Sequence, residues 1–374
     1  MRCKQMSSFI VMDIVKEAER FKDCIHFEIG QPDLPPSENV KKALHIATDS
    51  NHFSYTQSHG LVKLREKIAK HYVHTYGVDI DIEQIFLTPG TSGAFLIAYA
   101  LTLGKDATLG LSDPSYPCYK NFAYLLDINP CFMPIGKEDC FELHVEDLKA
   151  HPLDALQISS PSNPTGNIYS KTTLQSLVEY CEKNAIAFIS DELYHGLTYE
   201  EEAHCALEFG NQNVYIINGF SKYYCMPGIR LGWVIVPKDK IRHAEIIAQN
   251  LFICAPTLSQ YGALEAFDEA HLQAIKAEFK ARRDYLYAEL STIFEVDAKP
   301  QGAFYIWANI SAYSDDSFAF AKELLEHIHI AITPGIDFGH NKTHHYVRFA
   351  YTRSIEHMQE GIARLKNYLK ERKR

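Results

Sequence analysis

The chain predicts an α/β protein: a large domain built on a mainly parallel sheet, with a smaller α+β domain beside it. Three observations lead there. First, five short runs are apolar throughout: TLGLS (108–112), ALQIS (155–159), IAFIS (186–190), VYIIN (214–218) and GWVIV (232–236). Strands covered on both faces read this way, and such strands belong to parallel sheets. Second, longer segments with helical periodicity lie between them, among them SGAFLIAYALTLG (92–104) and KTTLQSLVEYCEKNA (171–185). Strand–helix alternation is the signature of βαβ units. Third, the pattern changes near residue 275. A long helical stretch (273–294) leads into two strand-like runs, AFYIWANI (303–310) and YVRFAYT (346–352), separated and followed by helical stretches. The large domain is expected over residues 40–275, and the smaller one over 276–374 with residues 1–39.

The 374 residues suit a large domain plus a smaller one. A hydrophobic content of 46% and a charged content of 22% are those of an ordinary globular protein. The net charge of −10 argues against a nucleic-acid partner, which needs a basic field. The basic cluster at 366–374, KNYLKERKR, reads as a helix end whose cations complement the dipole. Nine scattered cysteines without a CxxC pair fit free thiols in a reducing cytoplasm, and no metal site is expected. The apolar run near the start, FIVM (9–12), is too short for a signal-peptide core, and no apolar stretch approaches membrane-spanning length.

Polar signatures gather at the ends of the predicted strands, where α/β enzymes bind ligands. TPGTSGAF (88–95) opens a helix with small residues, leaving N–H groups around Thr91 and Ser92 to hold an anion. An ordinary Ser or Thr cap explains the same letters. DPSYPCY (113–119) sets Tyr116 between two prolines, as an aromatic platform or as a buried tyrosine in a turn. SSPSNPTGNIYS (159–170) holds Asn163 in a stiff loop, as a ligand amide or as an Asx-turn. In SDELYHGL (190–197), Asp191 ends a buried strand, a costly place for an acid without a cationic partner, though a helix cap is the alternative; Tyr194 follows three residues on. NGFSKYYCMPGIRLGWVI (218–235) places Ser221, Lys222 and Arg230 in a loop between two apolar runs. A lysine whose pKa is lowered by burial or a neighbouring cation becomes a nucleophile, and a fixed arginine suits a phosphate.

Taken in order, Asn-Pro-Thr-Gly (163–166), Asp-Glu-x-Tyr (191–194), Ser-Lys (221–222) and Gly-x-Arg-x-Gly (228–232) resemble the pyridoxal-phosphate aminotransferases of fold type I, classes I and II. The segments IGQPDLPPSENVKKAL (29–44), SYTQSHGLVKLREKIA (54–69), TPGIDFG (333–339) and YVRFAYT (346–352) are similar to that family too, so the match extends over nearly the whole chain. The N-terminal FIVMDIVKEAERFKDCIHFEIGQPD (9–33) resembles its aspartate-type branch.

The resemblance implies a seven-stranded type of sheet, pyridoxal 5′-phosphate as cofactor, and roles for named residues. Lys222 is the residue expected to form the Schiff base and act as general base. Asp191 is expected to keep the ring nitrogen protonated, with Tyr194 and Asn163 on the ring's 3-oxygen and Tyr116 on its face. Ser221, Arg230, Thr91 and Ser92 are expected to hold the phosphate, with Tyr55 reaching it from the other subunit of a homodimer. Arg348 is expected to grip the substrate α-carboxylate, helped by Gly30 and Asn163. The activity implied is transfer of an amino group from an aspartate-, alanine- or aromatic-type donor to a 2-oxo acid such as 2-oxoglutarate.

A carbon–sulfur β-lyase of the same fold shares Lys222, Asp191, Tyr194 and Arg348, and is the alternative. A cofactor-retaining DNA-binding regulator is disfavoured by the charge and by the short segment before Gly30. A nucleotide-binding Rossmann enzyme is disfavoured because no GxGxxG follows a strand. No second arginine is assignable to a substrate side-chain carboxylate. The histidines, including His344 and His345, show no metal-ligand spacing, and Cys225 reads as packing.

Overall fold

The computed structural model describes residues 5–372. Its central element is a seven-stranded sheet in the order β2-β8-β7-β6-β5-β3-β4. The strands are β2 (Ile85–Pro89), β3 (Thr108–Asp113), β4 (Asn129–Pro134), β5 (Ala155–Ser159), β6 (Ala187–Asp191), β7 (Val214–Gly219) and β8 (Leu231–Ile235). All five apolar runs are strands of this sheet, shifted by at most one residue at either end. The two strands that the apolar-run reading omits, β2 and β4, lie at the two edges. Each carries proline, which an edge strand tolerates because one side of its backbone has no ladder to complete.

Alternate residues of the central strands face opposite layers, as the period of two requires. Phe188, Ile216 and Trp233 belong to one buried cluster, while their neighbours Ile189, Ile217 and Val234 belong to another. Both layers are apolar, so the strands cannot alternate polar and apolar residues. Each large side chain so buried contributes roughly 1.5–3 kcal/mol.

Five strands, β3 to β7, run parallel to one another, but β8 is antiparallel to both β7 and β2. This reversal matters for the site. Parallel strands deliver the residues that follow their C-terminal ends to one edge of the sheet. An antiparallel strand delivers there the residue that precedes it, and the residue preceding Leu231 is Arg230.

Helices α1 (Ile10–Ala18), α2 (Glu38–Asp49), α3 (Val62–Tyr76), α4 (Gly90–Thr102) and α5 (Cys118–Leu125) precede the middle strands or lie between them. α4 begins two residues before the predicted start, because Gly90 takes φ +68° and turns the chain directly out of β2. The long helix predicted over 273–294 runs from Glu269 to Leu290; its start moves forward because the Asp268 side chain caps it, accepting from the His271 N–H.

A three-stranded antiparallel sheet, β11-β12-β9, comprises β9 (Tyr305–Asn309), β11 (Thr333–Pro334) and β12 (Tyr346–Ala350). Beside it β1 (Ile25–His26) pairs in parallel with β10 (Ile330–Ala331), so the N-terminal segment joins the C-terminal strands. A helix spans Ile355–Arg372; the last two residues of the basic cluster at 366–374 lie outside the described residues. Among the described residues, no helix is long and apolar enough to cross a membrane.

Candidate active site

The C-terminal edge of the large sheet and the face of the small one enclose a cavity of about 330 Å³. Lys222, Asp191, Tyr194, Thr91, Ser92, Tyr116, Asn163, Ser221, Arg230, Gly30 and Arg348 all line it. Tyr55 is the one predicted residue that does not. It is 77% exposed and borders a separate surface depression with Thr56 and Tyr261.

At the centre, Lys222 follows β7 by three residues and its Nζ donates to the Gly30 carbonyl at 2.6 Å. Burial, and then the positive charges of Arg348 and Arg230, pull its pKa down to about 8; Asp191 acts in the opposite sense. Asp191 is the last residue of β6 and is buried. Burial pushes its pKa up to about 6, and two donors oppose that rise: the Tyr119 hydroxyl on Oδ2, and the Leu193 N–H on Oδ1 at 3.1 Å. A carboxylate in this position is one that a buried cation would stabilise.

The anion end lies at the start of α4. Its first turn has no side-chain cap, so the leading N–H groups are open to a ligand. Close packing at this end is what the glycines permit. A Cβ on Gly90 would lie 2.5 Å from Arg230 Nη2, and one on Gly232 would lie 2.8 Å from the Thr91 nitrogen. Arg230 itself takes φ +53° and donates from Nη1 to the Pro227 carbonyl at 3.0 Å. A cradle of N–H groups, a hydroxyl and a guanidinium matches a phosphate group.

Arg348 projects from β12 and is only 5% exposed. Its Nη1 donates to Asn163 Oδ1 at 2.9 Å, and its Nη2 to the Glu28 carbonyl at 2.7 Å and the Thr333 hydroxyl at 3.2 Å. Its Nε is buried and has no partner. The guanidinium carbon lies 4.3 Å from the centre of the Tyr305 ring and 4.9 Å from that of Phe338. A rigid buried cation with a donor to spare suits a carboxylate.

The sequence reading passed over several of these residues. Tyr119, the hydroxyl partner of Asp191, stands three residues after Tyr116 at helical spacing, and that spacing was the available signal. Tyr305 pairs its hydroxyl with that of Tyr194 at 2.7 Å, and a Cβ on Gly30 would lie 2.3 Å from the Tyr305 Oη. Gly30 therefore owes its identity to a strand 275 residues further along the chain. Phe9, Val11, Met12 and Val15 of the N-terminal segment, with Asp337 and Phe338, form the mouth. Cys225 is buried with its Sγ toward the Tyr223 carbonyl, consistent with packing.

The comparisons with known proteins decide the family. The model for aminotransferases of class I and II matches residues 22–365. The chain belongs to this family. The aminotransferase is 36% identical to the (5-formylfuran-3-yl)methyl phosphate transaminase of Methanocaldococcus jannaschii, over 98% of each chain. It is 32% identical to the valine–pyruvate aminotransferase of Mycobacterium tuberculosis, over 96% of each. The crystal structure of an aminotransferase from Mycobacterium tuberculosis superposes with a TM-score of 0.95 at 32% identity, covering 99% of this chain and 98% of that one. It is a fold type I enzyme of the aspartate aminotransferase-like branch, and pyridoxal 5′-phosphate is its cofactor. The residues present fit that group: a phosphate-sized cradle at α4, a buried acid at Asp191, and an amine of lowered pKa at Lys222.

Proposed function

We propose that this aminotransferase moves the amino group of an L-amino acid to a 2-oxo acid, with Lys222 as the residue that binds the cofactor and carries the proton. The observation that supports this best is the position of the Lys222 amine, its pKa pulled down to about 8, in one cavity with a buried acid and a buried arginine. Bound pyridoxal phosphate supplies an aldehyde and an electron-withdrawing ring.

The chain's own residues do the rest. Ser221, Arg230 and the N–H groups of Thr91 and Ser92 hold the phosphate. Asp191 pairs with the ring nitrogen, its charge sustained by Tyr119. Tyr194 and the Asn163 amide take the ring's 3-oxygen, and Tyr116 covers a ring face. Arg348 holds the substrate α-carboxylate, with Gly30 and Asn163 beside it, which fixes Cα near Lys222. Lys222 Nζ takes up the Cα proton and later releases it.

We place the cofactor-holding unit at residues 40–275 and the substrate-closing unit at 1–39 and 276–374. Tyr55 serves the site of a second copy in a homodimer. The supporting feature is a set of exposed apolar side chains, Phe53, Tyr55 and Val62 with Leu251 and Ile253, on two segments joined by the Thr257 hydroxyl donating to the Ser54 carbonyl. We place the enzyme in the cytoplasm, in amino-acid biosynthesis; the eight cysteines among the described residues are unpaired, which suits a reducing compartment.

The test is optical. Protein loaded with pyridoxal phosphate is expected to absorb in the visible. One or more amino acids should shift that band to the near ultraviolet, and 2-oxoglutarate or pyruvate should restore it. Release of pyruvate from cysteine or cystathionine without a lasting shift would instead make the enzyme a β-lyase and end this reading.

A further inference from the structure

Resting on amino transfer as just described, we propose that the substrate side chain is uncharged and apolar, and that Phe9, Met12, Val15 and Phe338 are the residues that select it.

The cavity's cations come first. Among the described residues lining it there are three, Lys222, Arg230 and Arg348. Lys222 lies on the Gly30 carbonyl, Arg230 lies beside the start of α4, and Arg348 is held by Asn163, Glu28 and Thr333. A substrate whose α-carboxylate occupies Arg348 leaves no uncommitted cation among the described lining residues for a second carboxylate.

The opposite wall is apolar by construction. α1 turns Ile14 and Ala18 into the small-sheet side, where both are buried. Val11, Met12 and Val15, at helical spacing on another face, look onto the cavity. Met12 is 59% exposed although it borders the site, so a bound apolar group has surface there to cover. The Phe9 ring stacks on Tyr116 at 6.1 Å, continuing the wall toward the cavity floor. Phe338, packed against the Arg348 guanidinium, brings the same character up to the carboxylate clamp.

This wall is held in place at both ends. The carboxylate of Asp337 accepts the N–H groups of Ile10 and Val11 at 3.1 and 3.2 Å, tying α1 to the small-sheet side. Asn121 of α5 exchanges two hydrogen bonds with the backbone of Ser7, both 3.1 Å, tying the segment to the large-sheet side. Asp337 also lines the cavity, so a second substrate carboxylate would meet an acid there and be repelled. A hydrophobic pocket discriminates by about 10- to 200-fold per methylene-sized change, so the preference should be measurable.

The experiment uses the full chain loaded with pyridoxal phosphate. L-phenylalanine, L-leucine, L-alanine, L-aspartate and L-glutamate are each added, and the rate of the visible-band shift is followed in a single half-reaction. In parallel, calorimetry compares binding of 3-phenylpropanoate with that of succinate. Phenylalanine and leucine are expected to exceed aspartate, glutamate and alanine at least about tenfold in rate over half-saturating concentration, and 3-phenylpropanoate to bind at least about tenfold tighter than succinate. By the same logic pyruvate should outpace 2-oxoglutarate as acceptor. Met12→Arg, a change at the exposed rim, should lower the phenylalanine-to-aspartate ratio at least about tenfold, and Phe338→Ala should lower the phenylalanine-to-alanine ratio.

Aspartate or glutamate matching phenylalanine, or succinate binding as tightly as 3-phenylpropanoate, would overturn the proposal while leaving amino transfer standing, since the band still shifts. If no amino acid moves the band, amino transfer itself fails, and the calorimetric comparison alone then decides the character of the pocket. Unchanged ratios in both variants would remove Met12 and Phe338 from the selecting wall.

Discussion

The floor of the cavity and its mouth are built by opposite means. The floor is the edge of one rigid sheet. Asp191 ends β6, Ser221 and Lys222 follow β7, and Arg230 precedes the antiparallel β8, so backbone ladders set their relative positions. The mouth is assembled from the N-terminal segment with α1 and the loop at 333–339, which are far apart in the chain and joined by side-chain bonds such as those from Asp337. A floor made of strand ends suits a group that stays in place, and it concentrates the charged residues. A mouth made of helix and loop suits a partner that changes, and it concentrates apolar ones. On the reading proposed above, the chemistry that every substrate shares belongs to the sheet, and the choice of substrate to the mouth.

That contrast can be broken most directly at its centre. Lys222→Ala removes the residue proposed both to attach the cofactor and to carry the proton. Turnover should fall by about 10⁴-fold or more, with the visible band lost and the circular-dichroism spectrum unchanged. Activity retained within tenfold would move the chemistry elsewhere in the cavity.

Arg348 stands between the two regions, projecting from the small sheet toward the floor. Arg348→Lys keeps the charge but loses the fork and its contacts with the Tyr305 and Phe338 rings. The half-saturating amino-acid concentration should rise by about 10- to 100-fold while the visible band of the loaded enzyme persists. Loss of the band instead would make Arg348 part of the cofactor floor.

The smallest and most discriminating effect is expected at Tyr119, which we regard as a positioning residue acting through Asp191. Its hydroxyl lowers the Asp191 pKa against the rise caused by burial. Tyr119→Phe removes that donor, so the carboxylate should require a higher pH to ionise. The acid limb of the pH–rate profile should move upward, with a loss of a few-fold at pH 7 and recovery at higher pH. A uniform loss at every pH would reduce Tyr119 to packing.

Much of the floor was legible in the sequence because its residues are neighbours of strands, and strands buried on both faces announce themselves as unbroken apolar runs. Lys222 and Ser221 sit together after one such run, Asp191 closes another, and Arg230 opens a third. Gly90, Thr91 and Ser92 could be read as a helix start because small residues in that place have few other uses. The edge strands β2 and β4 were harder to read, since prolines interrupt their pattern and edge positions allow them to. Tyr55 was expected, from the resemblance alone, to serve another copy, and within one chain it is a surface side chain.

The sequence by itself determined the α/β class and the chemistry available at each strand end, because local periodicity and short spacings encode both, and its motifs carried the resemblance to the family. Only the tertiary structure decided which distant groups complete those strand ends. It placed the Tyr119 hydroxyl on Asp191, required Gly30 because of Tyr305, tied α1 to Asp337 and the residues before it to Asn121, and put apolar side chains around the mouth as far as Arg348. The physical reason is that a hydrogen bond or a steric limit across the cavity depends on where two segments meet in space. For Gly30 and Tyr305, as for Asn163 and Arg348, that meeting joins positions with no short spacing between them.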